Sequence, residues 1–112
     1  MKVVHHKKEP YDVLIDRTMI FGNPWTHKER TVAEFIVSSR HEAIDNYRKW
    51  LTGDGFEGVL PERRQRILDN LHKLKGLTLG CWCRPLPCHG EVLIELIEGK
   101  EPENSILDLF GR

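Results

Sequence analysis

Hydrophobic and polar positions alternate in short blocks at the start of the chain and predict two β-strands. β-Branched and aliphatic residues cluster in MKVVHH, residues 1–6, and again in YDVLIDR, residues 11–17. The polar sequence KKEP separates the two clusters and has the composition of a turn. MIFGNPWTHKER, residues 19–30, follows as a loop, because glycine, asparagine and proline in succession oppose both helix and strand.

Two capping signals predict helices in the middle of the chain. Thr31 with Glu34 has the spacing of a capping box and predicts a short helix near residues 32–38. The same spacing begins again at Ser39 and predicts a second helix over residues 40–51. The apolar residues of this second helix recur on one face, which predicts that they enter the core: Ala43, Ile44, Tyr47, Trp50 and Leu51.

The second half of the chain predicts two helices around a buried strand. Pro61 suits the first turn of a helix whose core stripe consists of Ile67, Leu68, Leu71 and Leu74. LTLGCWC, residues 77–83, predicts the strand, and CHGEVLIELIEG, residues 88–99, predicts an amphipathic helix. These elements predict a small single-domain α/β sheet with flanking helices, Rossmann-like in class, over residues 1–100. Residues 101–112 are expected to form a polar linker and an apolar tail.

Composition and charge indicate an ordinary folded protein and exclude some functional classes. The length of 112 residues suits one domain, and 39% of the residues are hydrophobic. Seventeen basic residues balance seventeen acidic ones, so the broad positive field of a protein that binds DNA through phosphates is absent. No apolar stretch has the length of a membrane span or a signal peptide, so we expect no membrane partner and a cytoplasmic location. In that reducing compartment, clustered cysteines bind metal or do chemistry more often than they form disulfides.

LGCWCRPLPCHGEVL, residues 79–93, holds all three cysteines of the chain and a histidine. Alternate residues of a strand share a face, so Cys81 and Cys83 are expected to point the same way, and Cys88 and His89 follow after a tight turn. Three thiolates and one imidazole form a tetrahedral zinc set, so zinc is the cofactor that this segment predicts. Adjacent residues rarely both reach one ion. The alternative is therefore a fourth ligand from a histidine elsewhere in the chain: His5, His6 or His27.

The same segment fits two other interpretations. Cys88 precedes the first turn of the last helix, where free N–H groups and the helix dipole stabilise a thiolate. His89 or Arg84 would favour the thiolate further, and the N–H groups could also hold a phosphate or carboxylate. An enzyme built on this pocket would use Cys88 as nucleophile and His89 as acid or base. In the remaining interpretation, the cysteines are small buried hydrophobes and His89 caps the helix.

The loop after the second strand supplies the other half of a candidate ligand site. In open α/β sheets, ligands bind beyond the carboxyl ends of strands, so this loop and the cysteine–histidine segment are expected to face one crevice. Arg17 could pair with a phosphate, Asn23 could read a base or amide edge, and Trp25 could stack on a ring. The candidate set is completed by their neighbours in the chain: Asp16, Gly22 and Pro24. This set predicts a nucleotide, nucleobase or nucleic acid as ligand. In the alternative interpretation, these residues pair with neighbours, form the turn and cover the core.

FGNPW, YRKWL and LGCWCRPLPCHGEVLIELI together resemble a family from bacteriophages and bacteria, domain of unknown function 4326. The resemblance covers most of the chain and implies a compact α/β domain of phage or bacterial type, acting in the cytoplasm of a bacterial host. It also implies that seven residues are signature positions: Gly22, Asn23, Pro24, Cys81, Cys83, Cys88 and His89. No activity comes with the resemblance. Three hypotheses therefore stay open: a nucleotide- or nucleic-acid-directed enzyme, a zinc-stabilised binding module without catalysis, and a phage adaptor.

ILDLF, residues 106–110, resembles the short peptide by which many bacterial replication and repair proteins dock on the DNA sliding clamp. The match covers Leu107, Asp108, Leu109 and Phe110, whereas Ile106 stands where glutamine is expected. A docking peptide behind a polar linker would place Leu107, Leu109 and Phe110 in a pocket of the partner. In the alternative interpretation, a last helical turn packs the apolar residues of the tail on the domain.

Overall fold

The computed structural model describes residues 1–27 and 35–99. Within these ranges the chain forms short strands and three α-helices, which are numbered in chain order: β1 Lys2–His5, β2 Val13–Leu14, β3 Trp25–Thr26, β4 Phe35–Ile36, α1 Arg40–Thr52, α2 Pro61–Asn70, β5 Thr78–Cys81 and α3 Gly90–Glu98. A 3-10 turn, Leu71–Leu74, extends α2 toward β5. The described residues therefore form a small mixed domain of helices and strands.

The larger sheet has the strand order β1-β5-β2, and both pairings are parallel. His5 pairs with Cys81, and Leu14 pairs with Gly80, so the carboxyl ends of the three strands meet at one edge. The chain segments that leave β2 and β5 consequently begin side by side. This geometry brings the loop after β2 next to the cysteine segment after β5.

Helix α1 confirms the prediction for residues 40–51 and carries the largest side chains of the core. The Ser39 hydroxyl accepts a hydrogen bond from the Glu42 backbone N–H at 3.1 Å, which caps the first turn. Gly53 ends the helix in the left-handed conformation, with φ of 78°. All five residues of the predicted apolar face are buried: Ala43, Ile44, Tyr47, Trp50 and Leu51.

Helices α2 and α3 also follow their predicted patterns. Ile67 and Leu74 of the α2 stripe are buried, and Leu68 and Leu71 pack partly buried against the core. In α3, the inward positions Val92 and Leu93 are buried, while the other predicted positions are partly buried: Leu96 and Ile97. No helix of the described ranges is long and apolar enough to cross a membrane.

The prediction of a short helix near residues 32–38 is wrong for its described part. Phe35–Ile36 forms the strand β4, which pairs in parallel with β3. The backbone N–H of Phe35 donates to the Pro24 carbonyl and that of Val37 to the Thr26 carbonyl, at 2.9 and 2.7 Å. Pairing with β3, ten residues earlier in the chain, has overridden the local capping signal. The capping box at Thr31 and Glu34 lies outside the described residues, as does the whole tail from residue 100.

Candidate metal centre and adjoining pocket

Three thiols converge where β5 ends and α3 begins. Cys81 is the last residue of β5, Cys83 lies in the turn that follows, and Cys88 precedes α3 by two residues. Their Sγ atoms all lie within 4.8 Å of one another, and all three thiols are free. Cys81 and Cys88 are 1% and 0% exposed, whereas Cys83 is half-buried. Trp82 lies between the first two cysteines and is 53% exposed, as the alternation of a strand predicts.

The turn between the cysteines is held by local hydrogen bonds and one ion pair. The Leu86 N–H donates to the Cys83 carbonyl at 2.9 Å, which closes the turn. The Gly90 N–H, the first of α3, points to Cys88 Sγ at 3.4 Å. Arg84 pairs with Glu91 of α3 at 3.0 Å rather than lining the neighbouring pocket. Cys88 therefore does lie at the helix start, but Arg84 is occupied by a carboxylate.

The three thiols differ in their affinity for a proton. Hydrogen bonds from Cys81 and Cys88 lower the pKa of Cys83 against the opposing effect of burial, and the positive charge of Arg40 lowers it further. Hydrogen bonding to its two partners, followed by burial, raises the pKa of Cys88. Hydrogen bonding to Cys83 is the main cause that raises the pKa of Cys81. The cluster thus concentrates negative charge on its most exposed member, Cys83, and keeps the proton on Cys88.

His89 lies at the thiol cluster but is anchored to a neighbouring segment. It is 5% exposed, and its Nε2 lies 2.7 Å from the Ile15 carbonyl oxygen, just after β2. Its Nδ1 lies 3.7 Å from Cys88 Sγ, and its ring meets the Tyr47 ring edge-on at 5.2 Å. Burial lowers the pKa of His89 to about 4, so the ring is neutral at pH 7. Because a carbonyl only accepts, the ring proton lies on Nε2 and Nδ1 keeps its lone pair.

The GNP sequence serves the fold. A Cβ on Gly22 would lie 2.5 Å from Arg17 Cα and 2.6 Å from the Asp16 carbonyl oxygen, so only glycine fits this close approach. Asn23 is 2% exposed, and its amide group donates to the Ala43 carbonyl and accepts from the Trp25 N–H, at 2.9 and 3.0 Å. Pro24 is fully buried. The Asn23 amide is thus committed to the turn and to α1.

Arg17 is the one residue of the predicted Asp16, Arg17 and Trp25 set that lines the pocket. Trp25 is 3% exposed and packs against the aromatic rings of Trp50 and Phe56, as the core interpretation proposed. Burial opposes it, but hydrogen bonds donated by the Thr18 hydroxyl, the Trp82 indole N–H and the Thr18 backbone N–H lower the pKa of Asp16. The hypotheses of ring stacking by Trp25 and of ligand contact by Asp16 gain no support from these positions.

A pocket of about 150 Å³ lies between the GNP loop and the thiol cluster. Asn23 lines it from one side, and Cys83, Cys88 and His89 line it from the other. Several lining residues were not selected as site residues by the sequence analysis, and two of them are large and functional in type: Arg40 and Trp82. The signal for Arg40 was its place directly after the Ser39 cap, and the signal for Trp82 was its outward position between two inward cysteines.

Together, the fold and the site define a small mixed domain whose sheet edge carries three clustered thiols beside a basic pocket. The chain belongs to the family described as Domain of unknown function (DUF4326), whose model matches residues 2–99. The chain is also similar to the "Uncharacterized 12.4 kDa protein in nrdA-td intergenic region" of Enterobacteria phage T4. The two are 29% identical over 96 residues, which make up 86% of this chain and 76% of the phage protein. No solved structure matches the chain. The predicted family is confirmed, and it is associated with a phage relative.

Proposed function

We propose that this domain is a metal-thiolate module that holds one zinc ion through Cys81, Cys83 and Cys88. The observation that carries the proposal is the mutual approach of their three Sγ atoms within 4.8 Å. Zn–S bonds of about 2.3 Å in a tetrahedron separate the sulfurs by about 3.8 Å, so a modest contraction would complete the set. Soft thiolates select zinc over magnesium or calcium. The family, which is of unknown function, does not argue for or against this metal.

His89 Nδ1 is the fourth donor that we assign to this ion. It carries the lone pair of the ring and lies 3.7 Å from the Cys88 thiol, whose proton a metal would displace. The hydrogen bond from Nε2 to the Ile15 carbonyl is the outer contact that metal-bound histidines commonly make. His89 is adjacent to Cys88, and the ring must move toward the other two sulfurs to bind. Its contribution is therefore tested separately from that of the cysteines.

Such an ion would stabilise the junction on which the pocket depends. Its ligands belong to the end of β5, to the turn and to the start of α3, so it would connect these three segments. Metal binding displaces thiol protons, so zinc affinity should fall as the pH falls. Free thiols and zinc are both compatible with the reducing cytoplasm that we propose as the location.

The nucleotide- or nucleic-acid-directed function that the sequence predicts enters here as a second proposal. The pocket favours it, because it lies beyond the carboxyl ends of β2 and β5, where a Rossmann-like sheet would bind a ligand. For an enzyme, half-buried Cys83 with its lowered pKa suits the nucleophile better than buried Cys88. Catalysis by Cys88 and His89 stays a prediction from the sequence. The adaptor hypothesis concerns the tail, outside the described residues.

Metal analysis of the untagged protein tests the zinc proposal. We expect about one zinc per chain by mass spectrometry, and its loss in Cys83→Ser. His89→Gln should bind zinc more weakly because it removes the fourth donor, whereas His72→Gln, at an exposed position, serves as the matched control. A folded, metal-free protein with three titratable thiols, which takes up no added zinc, would overturn the proposal.

A further inference from the structure

The pocket beside the thiols carries two positive charges and, among the described residues, no acidic residue lines it; Asp16 acts on Arg17 from outside the lining. Arg17 and Arg40 both line it, and none of the described residues that line it is acidic. Within residues 1–27 and 35–99, neither guanidinium forms an ion pair. A pair of arginines arranged in this way resembles the environment of an anion, because planar guanidinium groups bind phosphate and carboxylate oxygens through paired N–H donors.

Arg17 is held in place and has a donor to spare. Its Nη2 donates to the Trp25 carbonyl at 2.8 Å, which fixes the guanidinium against β3. Its Nε is buried and has no hydrogen-bond partner in the structure. A buried donor without an acceptor is costly, so this guanidinium keeps hydrogen-bonding capacity that the described contacts do not use. Gly22 permits this placement, because its missing side chain lets the loop close onto the Arg17 backbone.

Arg40 approaches the same space from the first turn of α1. Its Nη1 lies 3.5 Å from the Pro87 carbonyl, at the limit of a hydrogen bond, so most of its donors are unused. Its charge is close enough to Arg17 to contribute to the lowered pKa of that residue, after burial. An anion between two like charges would relieve their repulsion, and the 13-residue helix behind Arg40 favours an anion at its start.

The negative charge of the thiol cluster does not cancel the positive charge of the two arginines. Cys83 and Cys88 line the pocket, so their charge must be counted with that of the arginines. If one of the three thiols ionises in the metal-free protein, its single negative charge faces two guanidinium groups. With zinc, three thiolates and a divalent cation leave a single negative charge, which two guanidinium groups again outweigh. The pocket is therefore attractive to an anion with or without the metal.

The size of the pocket restricts the anion. Its volume of about 150 Å³ is below the roughly 300–1,000 Å³ of sites that enclose drug-sized ligands. A phosphoryl group fits this space, whereas a whole nucleotide does not. Trp82 lines the same pocket, is 53% exposed, and offers an aromatic surface for the part of the ligand that stays outside.

We propose that the pocket binds the phosphate monoester of a nucleotide or of a phosphorylated nucleic-acid end, with Arg17 and Arg40 on the phosphate and Trp82 beside the base. The shared chemistry is a terminal phosphate attached to an aromatic base. Both a free nucleotide and the phosphorylated end of a nucleic acid have this chemistry, and matched probes distinguish the two. The proposal is independent of zinc, because the two arginines come from the loop after β2 and from α1 rather than from the metal ligands.

Calorimetric titration of the full chain is the test, with adenosine 5′-monophosphate, adenosine and inorganic phosphate as probes. The monophosphate should bind at least about tenfold more tightly than adenosine, because two charge-assisted contacts are lost with the phosphate. Single-stranded oligonucleotides with a 5′-phosphate or a 5′-hydroxyl form the second pair. Preference for the phosphorylated strand over the free nucleotide assigns the site to nucleic-acid ends, and the reverse order assigns it to free nucleotides.

Charge-matched variants locate the binding. Arg17→Gln and Arg40→Gln should each weaken monophosphate binding about tenfold or more, whereas Arg66→Gln, which removes an exposed charge of α2, should leave it unchanged. Trp82→Leu should weaken the monophosphate and leave inorganic phosphate unaffected. Arg40 is only partly buried and forms no ion pair with the described residues, so its variant is informative even where Arg17→Gln fails to fold.

Two results would overturn the proposal: equal affinity for adenosine and its monophosphate, or equal affinities of Arg40→Gln and Arg66→Gln. Each titration is repeated on zinc-loaded and chelator-treated protein. Phosphate binding without any zinc uptake would leave this inference standing and remove the zinc proposal. Zinc binding without any preference for phosphate would have the opposite meaning.

Discussion

The His89 Nε2 atom lies 2.7 Å from the carbonyl oxygen of Ile15, and this contact joins the start of α3 to the end of β2. Both residues are buried, at 5% and 0% exposure, so water cannot take the place of either hydrogen-bond partner. The contact fixes the position of the cysteine segment relative to the loop after β2. The geometry of the thiol cluster and of the pocket both depend on it.

Replacement of His89 should therefore destabilise the domain even without metal. In His89→Phe the Ile15 carbonyl loses its donor, and we expect the free energy of unfolding to fall by about 1–3 kcal/mol. Urea unfolding of chelator-treated protein measures this difference. His72→Phe, at an exposed position of the 3-10 turn, is the control and should change little. Equal stability of the two variants would contradict a buried His89–Ile15 bond.

Gly22 should tolerate no side chain. The Cβ of Gly22→Ala would meet backbone atoms of Arg17 and Asp16, which cannot rotate away, so we expect a loss of about 3 kcal/mol or more. Gly76→Ala is the matched control. Its φ of 81° strains alanine, but nothing lies within 4 Å, so the loss there should be about 1–2 kcal/mol. Thermal unfolding of both variants shows which one loses more stability. A smaller loss in Gly22→Ala than in Gly76→Ala would rule out the close approach.

Asn23 should act through stability rather than through ligand contact. Asn23→Ala leaves the Trp25 N–H and the Ala43 carbonyl without partners in the core, which should cost about 2–4 kcal/mol. Asn70→Ala removes an exposed amide contact with the Arg66 carbonyl and should cost less than about 1 kcal/mol. Chemical unfolding of the two variants gives the comparison. A stable Asn23→Ala protein with lost nucleotide binding would instead support the original base-reading hypothesis.

The Arg48–Glu95 pair should stabilise the packing of α1 on α3. Two parallel hydrogen bonds of 2.9 Å join the guanidinium to the carboxylate, and both side chains are mostly buried. A double-mutant cycle with Arg48→Gln and Glu95→Gln should give a coupling energy of about 1–2 kcal/mol. The exposed pair of Arg48 with Asp45 supplies the control cycle, with an expected coupling of about 0.3–0.5 kcal/mol. Equal couplings would show that burial adds nothing to the first pair.

Alkylation should distinguish the three cysteines in metal-free protein. Cys83 is half-buried and has a lowered pKa, so iodoacetamide should modify it at least about tenfold faster than buried Cys81 or Cys88. Mass spectrometry of peptides from timed samples identifies the modified residue. Bound zinc should protect Cys83. Faster modification of Cys88 would restore that residue as the candidate nucleophile.

Local patterns in the sequence determined most of the helices and strands and the choice of the thiol segment. The Ser39 cap, the apolar face of α1 and the alternation of Cys81, Trp82 and Cys83 depend on neighbours in the chain. They could be predicted because helix and strand periods are properties of short segments. The family was also recognisable from the GNP and cysteine motifs.

Only the tertiary structure decided which of the candidate residues meet. The strand β4 replaced part of a predicted helix because its backbone pairs with β3, outside the helical segment. Asn23 and Trp25 were drawn into the core, while Arg40 and Trp82 were brought to the pocket beside Arg17. Burial, hydrogen-bond partners and pairwise distances depend on how far-apart segments pack. Residue type and spacing therefore predicted the chemistry available at this sheet edge, and only packing decided which side chains deliver it.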